Sequence, residues 1–251
     1  MLQFQIKKGP SEKTEIDNKE QNCNVSINLK RSIFIITPTH KGPFQVPNLI
    51  RMIPVMLLTD SVYWILVEDA FFINETINDM IKSYNLKHFI YISKSSLSGP
   101  NNHRGMLQRN FGINWLRVCR DSIPDGVVYF ADAENSYSFQ FLNEIRKKTN
   151  KVSVFNVGLI EGELYEGPTL SKKGTIIGWH TDWSGERKFC IDMAGFAVDL
   201  DLLLEKKVEF NVNAAPNFVE DNFLKSLVSS LDELFFIPGK MLVNVWHTET
   251  F

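Results

Sequence analysis

The chain has 251 residues, of which 44% are hydrophobic, 22% charged and 12% aromatic, a balance typical of a folded domain with a sizeable core. A formal net charge of −2 and the lack of any basic cluster in the sequence exclude a broad nucleic-acid-binding surface. The sequence predicts no membrane span because it has no run of about 18 apolar residues.

Three cysteines, Cys23, Cys119 and Cys190, are few in number and widely spaced along the chain. They form no closely spaced pair, so the sequence predicts no zinc site. We expect small buried apolar residues or a surface thiol, with an intermolecular disulfide as the alternative in an oxidising compartment.

Predicted elements in the first half of the chain alternate between strand and helix. Residues 1–31 are polar and predict a disordered arm. Short apolar runs predict buried strands at 33–36, 62–67, 88–92 and 127–130. The first of these strands should stop where the segment Thr37–His40 begins. Residue patterns between the strands predict helices at 49–58, 75–83 and 104–120. This alternation predicts an α/β layer built on a parallel sheet.

Beyond residue 151 the pattern changes to short strand-like runs separated by glycine-rich turns. We predict strands at 152–155, 175–179, 196–198 and 241–246, and one helix at 219–229. The sequence contains no internal repeat and no low-complexity linker. A single domain over residues 32–251 therefore fits best, with two halves that divide near residue 135.

Acidic side chains follow two of the predicted strands. Glu68 and Asp69 end one strand, and Asp132 and Glu134 follow another. Ligands of open α/β sheets bind beyond the carboxyl ends of the strands, and carboxylate oxygens suit Mg²⁺ or Mn²⁺. The pattern therefore predicts a metal site, with a solvated loop or an acidic helix N-terminus as the alternative.

Basic side chains begin the helix predicted at 104–120. Arg104 and Arg109 lie five residues apart, roughly on one face, and His103 precedes them. A diphosphate or carboxylate there would gain charge-assisted hydrogen bonds. Ordinary surface charge is the alternative reading of these residues.

Ten short blocks, in matching order, resemble the signature of the animal β-1,3-glucuronosyltransferase family. The blocks are Ile35–Thr39, Trp64–Ala70, His103–Gly105, Gln108–Asn110, Gly126–Asp132, Val157–Leu159, Tyr165–Pro168, Gly178–Thr181, Ile191–Ala197 and Val245–Thr248. They extend from about residue 33 to the C-terminus. The resemblance implies an inverting enzyme of the GT-A fold, with a nucleotide-sugar half at 32–135 and an acceptor half at 136–251.

The resemblance also implies a reaction and a setting. Members of this family move glucuronic acid from UDP-glucuronate to the 3-hydroxyl group of a terminal β-galactose on a glycoprotein or proteoglycan-linker glycan. The implied cofactor is Mn²⁺, and the implied partners are a UDP-sugar donor and a galactose-terminated acceptor. A location in the Golgi lumen and a homodimer are implied in the same way.

Specific residues take roles by their match to the family blocks. Glu220 matches the general base, and Glu134 matches the Mn²⁺ ligand. The acceptor residues implied are Glu166, Trp183 and Asp192. The donor residues implied are Pro38, Thr39, His40, Asp69, Arg104, Arg109, Asp132 and His247.

Four features of the sequence depart from the family pattern. Ala133 and Glu134 stand in a run that is usually three acids, and His40 replaces a tyrosine that would stack on uracil. No basic residue occurs from Val208 to Glu220, and Glu249 stands where a cation is usual. Two alternatives therefore stay open. One is an inactive relative that binds nucleotide or glycan. The other is an active transferase with another donor such as UDP-galactose or UDP-xylose.

Overall fold

Two β-sheets form the framework of the part of the chain that the computed structural model describes, residues 31–94, 105–147, 151–160, 162–183, 185–239 and 241–248. The strands are β1 (Ser32–His40), β2 (Val62–Asp69), β3 (Phe89–Ser93), β4 (Gly126–Phe130), β5 (Ser136–Tyr137), β6 (Val152–Val154), β7 (Val157–Gly158), β8 (Tyr165–Leu170), β9 (Ile176–His180), β10 (Phe196–Asp199), β11 (Leu234–Phe236) and β12 (Val245–Trp246). The helices are α1 (Gln45–Leu58), α2 (Glu75–Ser83), α3 (Met106–Val118), α4 (Phe139–Ile145), α5 (Leu200–Lys206) and α6 (Val219–Leu227).

The larger sheet has seven strands in the order β11-β6-β10-β4-β1-β2-β3. β4, β1, β2 and β3 run parallel, as the alternation of strand and helix predicts. β10 lies antiparallel between β4 and β6, so the sheet is mixed at that side. The parallel α/β architecture is therefore confirmed, and β10 adds a reversed strand to it.

Helices cover both faces of this sheet, because its central strands are apolar on both sides. Phe34 and Ile36 of β1 belong to one core, which includes buried residues of α3, α5 and α6. Ile33 and Ile35 of the same strand belong to the other core, which includes buried residues of α1, α2 and α4. Alternate side chains of one strand thus pack into opposite layers, as the period of two requires.

The smaller sheet has the strand order β5-β12-β7-β8-β9 and is formed mainly by residues beyond 135. β12 pairs with β5 and with β7, which brings the C-terminal segment beside the turn that follows β4. Thr248, which follows β12, thereby reaches the turn of Glu134 in the first half of the chain.

Several boundaries differ from the sequence predictions. β1 continues to His40 because Thr39 and His40 pair in register with Glu68 and Asp69 of β2. The last strand covers only Val245–Trp246, so the prediction of 241–246 was too long. The sequence patterns did not predict α4, α5, β5, β7, β8 or β11.

Two observations bear on the termini and cysteines. Arg31, which was assigned to the polar arm, forms ion pairs with Asp125 and Asp199; the rest of that arm lies outside the described residues. Cys190 is free and buried, whereas Cys119 is disulfide-bonded, which corrects its assignment as a thiol. No helix within the described residues has the length and hydropathy needed to cross a bilayer.

Candidate active site

The carboxyl ends of β1, β2 and β4 meet at one edge of the large sheet. His40 lies opposite Asp69 in the register of β1 and β2, and the backbone N–H of Ala131 donates to the carbonyl of Ile36 at 3.0 Å. Asp132 follows directly, so the predicted donor residues of three strands share this edge. Pro38 and Thr39 belong to the same segment of β1.

Glu68 supports this edge through buried hydrogen bonds and is not exposed to a ligand. Its side chain is buried, and it accepts hydrogen bonds from the Gln45 amide at 2.9 Å and from the Tyr91 hydroxyl. Gln45 also donates to the Thr39 hydroxyl at 3.3 Å. Burial and the bond to Glu68 raise the pKa of Tyr91, so Tyr91 stays a neutral donor. Of the two acids that end β2, only Asp69 is partly exposed.

Arg109 lies at the centre of the edge and forms an ion pair with Asp132. The Arg109 side chain is buried, whereas Asp132 keeps 22% of its side chain exposed. Gly105, at φ +77°, immediately precedes α3. It lies close against β1, because an added Cβ would be 2.8 Å from the Pro38 Cβ. This left-handed conformation and close approach favour glycine and bring the start of α3 to Pro38. Arg104 and His103 lie outside the described residues.

The turn that carries Glu134 is held by contacts from two distant segments. Its backbone carbonyl accepts hydrogen bonds from Arg51 of α1 and from the Thr248 hydroxyl. The backbone N–H of Thr248 donates to Asn135 Oδ1 at 3.4 Å. The Glu134 side chain is partly exposed and takes no part in these bonds.

Asp132 and Glu134 are the acids of this edge that suit a divalent cation. Within the described ranges, no group of three or more His, Cys, Asp or Glu residues could hold a metal ion. Ions such as Mg²⁺ are often bound by one or two carboxylates together with substrate phosphates and water. The two acids therefore fit a cation that arrives with a diphosphate, and they do not fit a closed protein-only site.

Asp192 and His247 lie near the same edge. The Asp192 carboxylate accepts from the Ala194 N–H at 2.8 Å. Burial raises the pKa of Asp192, the charges of His247 and Arg109 act against this, and Asp132 adds to it. The His247 backbone N–H donates to the Gly158 carbonyl at 2.9 Å. Asp192 of the acceptor half thus lies within electrostatic reach of the donor residues.

Glu220 lies in the first turn of α6, and most of its side chain is buried. Burial raises its pKa to about 7, and the Asp192 charge contributes in the same direction. A hydrogen bond to backbone and the charges of Arg109 and Arg187 oppose the rise. A carboxyl with a pKa near neutrality is suited to accept a proton from a substrate hydroxyl at physiological pH.

The other predicted acceptor residues lie on the second sheet and its loops. Glu166 is buried on β8 and accepts a hydrogen bond from the Thr181 hydroxyl. The same Thr181 oxygen accepts from the Trp183 backbone N–H at 3.1 Å. Thr181 thus connects the Glu166 side chain to the backbone of Trp183 through two hydrogen bonds.

Arg187 is a residue of this region that the sequence analysis missed. Its guanidinium carbon lies 3.9 Å from the centre of the Trp183 ring and 5.8 Å from that of Phe218. Its charge also acts on Glu220. Arg187 lies in a loop without periodicity, so no local sequence pattern identifies it.

Three buried nitrogen atoms, on residues of the acceptor half described above, have no hydrogen-bond partner among the residues that the structure describes. They are His247 Nδ1, Trp183 Nε1 and Arg187 Nε. Buried polar atoms are nearly always paired in native proteins, so such atoms indicate a place for a ligand or water. Two of the three belong to predicted site residues.

The sequence of this chain is similar to known transferases. Residues 52–251 match the profile described as glycosyltransferase family 43. The Homo sapiens protein named galactosylgalactosylxylosylprotein 3-beta-glucuronosyltransferase 2 is 35% identical over 249 residues, which cover 96% of this chain and 76% of that protein. The Rattus norvegicus protein named galactosylgalactosylxylosylprotein 3-beta-glucuronosyltransferase 1 is 35% identical over 231 residues, which cover 87% of this chain and 69% of that protein.

Solved structures show the same arrangement of strands and helices. Staphylococcus aureus TarS in complex with UDP gives a TM-score of 0.56 at 11% identity, covering 87% of this chain and 61% of that chain. The mannosyltransferase PcManGT from Pyrobaculum calidifontis, in complex with GDP-Man and Mn²⁺, gives 0.54 at 10% identity, covering 87% of this chain and 57% of that chain. This chain thus spans about three fifths of the length of each of these two solved chains, the first of which comprises TarS residues 1–349. At these identities the likeness concerns the fold alone, and it confirms the predicted GT-A architecture.

Proposed function

Because the chain belongs to glycosyltransferase family 43, we propose that it transfers glucuronic acid from UDP-glucuronate to the 3-hydroxyl group of a terminal β-galactose. The acceptor is a glycoprotein or proteoglycan-linker glycan. Two relatives named as 3-beta-glucuronosyltransferases, similar over most of this chain, support the donor and the acceptor.

The observation that carries the proposed chemistry is the environment of Glu220. Its pKa of about 7 leaves a large fraction of the carboxyl ionised at neutral pH, while the group still binds a proton readily. In the proposed reaction the galactose 3-oxygen forms a bond to the anomeric carbon of the donor. The bond from that carbon to the diphosphate breaks, and UDP leaves with the electron pair. Glu220 takes the hydroxyl proton, and attack from the face opposite the leaving group inverts the anomeric centre.

The donor residues of the sheet edge would hold the leaving nucleotide. We assign the uridine to Pro38, Thr39, His40 and Asp69, and the ribose side to Asp132. The Gln45 bond fixes the Thr39 hydroxyl at this edge. Arg104 belongs to the same proposal and lies outside the described residues.

Arg109 supplies positive charge beside the diphosphate in this proposal, and His247 supplies a hydrogen-bonding side chain. Arg109 is buried and already paired with Asp132, so its guanidinium is held in place before the donor binds. His247 Nδ1 has no hydrogen-bond partner among the described residues and is available to a ligand oxygen. Preorganised donors of this kind stabilise negative charge that develops on a leaving group.

We further propose that Glu134, with Asp132 beside it, holds Mn²⁺ when the nucleotide is bound. A cation there supplies Lewis-acid stabilisation of the departing diphosphate. The solved Mn²⁺ complex of PcManGT, which has the same fold, supports a divalent cation but is too distant in sequence to identify ligands.

The acceptor galactose would lie among Glu166, Asp192 and Trp183. Arg187 adds a cation next to Glu220, which compensates in part for the lack of any basic residue at 208–220. The carboxylate of a glucuronate donor and the base Glu220 are both negative, so a nearby guanidinium lowers their mutual repulsion.

A location in the Golgi lumen is consistent with the cysteine chemistry. Cys119 is disulfide-bonded, and disulfides persist in oxidising compartments. We therefore propose a lumenal enzyme, and a homodimer is part of the proposal because the resemblance implies it. Non-reducing mass spectrometry of protein secreted from animal cells would test the disulfide directly.

A transfer assay tests the proposed function. Purified protein is incubated with radiolabelled UDP-glucuronate, Mn²⁺ and a β-galactoside acceptor, and we expect a β-1,3-linked glucuronosyl product. UDP-galactose and UDP-xylose in parallel reactions test the donor. If UDP binds but no UDP-sugar gives product, the chain is the inactive relative that Ala133 suggests, and the proposed reaction is wrong.

A further inference from the structure

One buried carboxylate links the helix of Glu220 to the loop of Arg187. Asp221 has no exposed surface, and its Oδ1 accepts hydrogen bonds from the backbone N–H groups of Lys188 and Phe189, each at 2.9 Å. Its Oδ2 accepts from Lys225 Nζ at 2.6 Å, one helical turn further along α6. Asp221 therefore holds together two segments that lie 33 residues apart in the sequence.

The segment that Asp221 holds directly follows Arg187. The Arg187 guanidinium stacks on Trp183, and the Arg187 N–H donates to the Gly185 carbonyl at 3.0 Å. We call residues 185–190 the acceptor loop. Lys188 and Phe189 of this loop donate to Asp221, the residue after Glu220. Asp221 therefore fixes how far Arg187 lies from Glu220.

We propose that Asp221 is a positioning residue. It holds the acceptor loop in place against α6, so that the residues contacting the acceptor keep a fixed position relative to Glu220. The inference rests on the proposed function, because it gives Glu220 and Trp183 the roles described above. Asp221 does not touch substrate. A displacement of about 1 Å in such an arrangement costs up to about 100-fold in rate.

A purely structural role predicts a different outcome. Asp221 also lies in the first turn of α6, where a negative charge interacts favourably with the helix dipole. If only this charge mattered, removing it would lower stability and leave the acceptor KM of the folded enzyme unchanged. The charge and the two backbone hydrogen bonds must therefore be separated by mutation.

Three variants separate them. Asp221→Ala removes the charge and both backbone hydrogen bonds. Asp221→Asn removes the charge but keeps an oxygen that can accept from Lys188 and Phe189. Lys225→Met removes the ion pair alone, and Lys225 is 43% exposed, so this change leaves the loop bonds intact.

We expect Asp221→Ala to raise the acceptor KM by about 10-fold to 100-fold, with the donor KM and UDP affinity within about twofold of the wild type. Asp221→Asn and Lys225→Met should stay within about threefold for all these quantities. Equal acceptor KM values in Asp221→Ala and the wild type, or an equal rise in Asp221→Asn, would overturn the proposal.

Amide hydrogen exchange gives a second measurement that does not need catalysis. In Asp221→Ala the amides of Lys188 and Phe189 should lose protection, while those of β1 and β2 keep it. Unchanged protection of these two amides in Asp221→Ala would overturn the inference. If that variant does not fold, fast exchange of both amides in the wild type would overturn it as well. If the wild type transfers no sugar, the proposed function fails alone, and exchange at these two amides still decides whether the loop is held.

Discussion

Two regions of this molecule are built in different ways: the edge of the large sheet proposed to hold the nucleotide, called the nucleotide edge, and the surface around Glu166, Trp183 and Glu220 proposed to bind the acceptor, called the acceptor surface. At the nucleotide edge, side chains follow strands whose register brings Thr39, Asp69 and Asp132 together. At the acceptor surface, positions depend on loop contacts between distant segments, such as those from Asp221 to Lys188 and Phe189. The sheet would keep the first arrangement after most single changes, whereas one lost hydrogen bond can alter the second. We expect mutations to affect nucleotide binding and acceptor use separately.

The sharpest test of this separation is Glu220→Gln. Glutamine keeps the shape of the side chain but cannot take the hydroxyl proton, so we expect kcat to fall by about 10² to 10⁴-fold. UDP affinity measured by calorimetry should stay nearly unchanged, because the nucleotide edge is untouched.

A matched control for this substitution is Glu205→Gln, on the exposed end of α5. It should leave both kcat and UDP affinity as in the wild type. Full activity in Glu220→Gln would remove Glu220 from the role of base and leave the acceptor surface without its proposed chemistry.

The reverse separation is expected for Glu134→Ala, which alters the nucleotide edge. The backbone carbonyl of Glu134, not its side chain, receives the bonds from Arg51 and Thr248, so the turn should keep its position. We expect the gain in UDP affinity caused by Mn²⁺ to drop at least about 10-fold, by analogy with the loss of residues that support a metal site. Calorimetry of UDP with and without Mn²⁺ measures this gain.

Glu163→Ala serves as the control for Glu134→Ala, since Glu163 lies in the turn between β7 and β8. An undiminished Mn²⁺ effect in Glu134→Ala would show that Glu134 is not a ligand. The fold would be unaffected by that result, but the proposed metal site would not survive it.

Much of the nucleotide edge could be predicted from the sequence, because buried parallel strands are continuous apolar runs and the residues that follow them are its ligand candidates. The end of β1 was predicted too early, since Thr39 and His40 look like a turn but pair with β2. Glu68 was grouped with the exposed acids, and only the contacts of Gln45 and Tyr91 reveal it as buried.

The acceptor surface was harder to predict for physical reasons. α4 and α5 have seven residues each, too few for a helical period to repeat clearly. Arg187 was missed because its importance comes from contacts with Trp183 and Phe218, which bring together residues from separate loops. The prediction of Glu166, Trp183 and Asp192 as acceptor residues rests on the family resemblance and not on composition or spacing.

The pKa of Glu220 predicts a cost in stability as well as a gain in function. The folded pKa of about 7 lies above the ordinary value of 4.5, so the folded state binds more protons between these pH values. Stability should therefore fall as pH rises from about 4.5 to 7, and this loss is complete above the folded pKa. Glu220→Gln removes it, and we expect this variant to be more stable than the wild type by about 1–3 kcal/mol at pH 8.

Denaturant unfolding at pH 8 and at pH 5 measures this difference, which should shrink at the lower pH. The Glu205→Gln control should show no such pH-dependent gain. Equal stabilities of Glu220→Gln and wild type at pH 8 would mean that Glu220 is solvated in the free protein. The acceptor surface would then lack the desolvated carboxyl that distinguishes it from the nucleotide edge.

The smallest expected effect connects the two regions through Asp192. Its charge helps to raise the pKa of Glu220, so Asp192→Asn should move the acidic limb of the kcat/KM profile to lower pH. The amide can still accept the Ala194 hydrogen bond, so the local turn should persist. We expect an increase of about 3-fold to 10-fold in the acceptor KM and little change in the donor KM. A shift in the donor KM alone would show that Asp192 belongs to the nucleotide edge, and the boundary between the two regions would have to move past it.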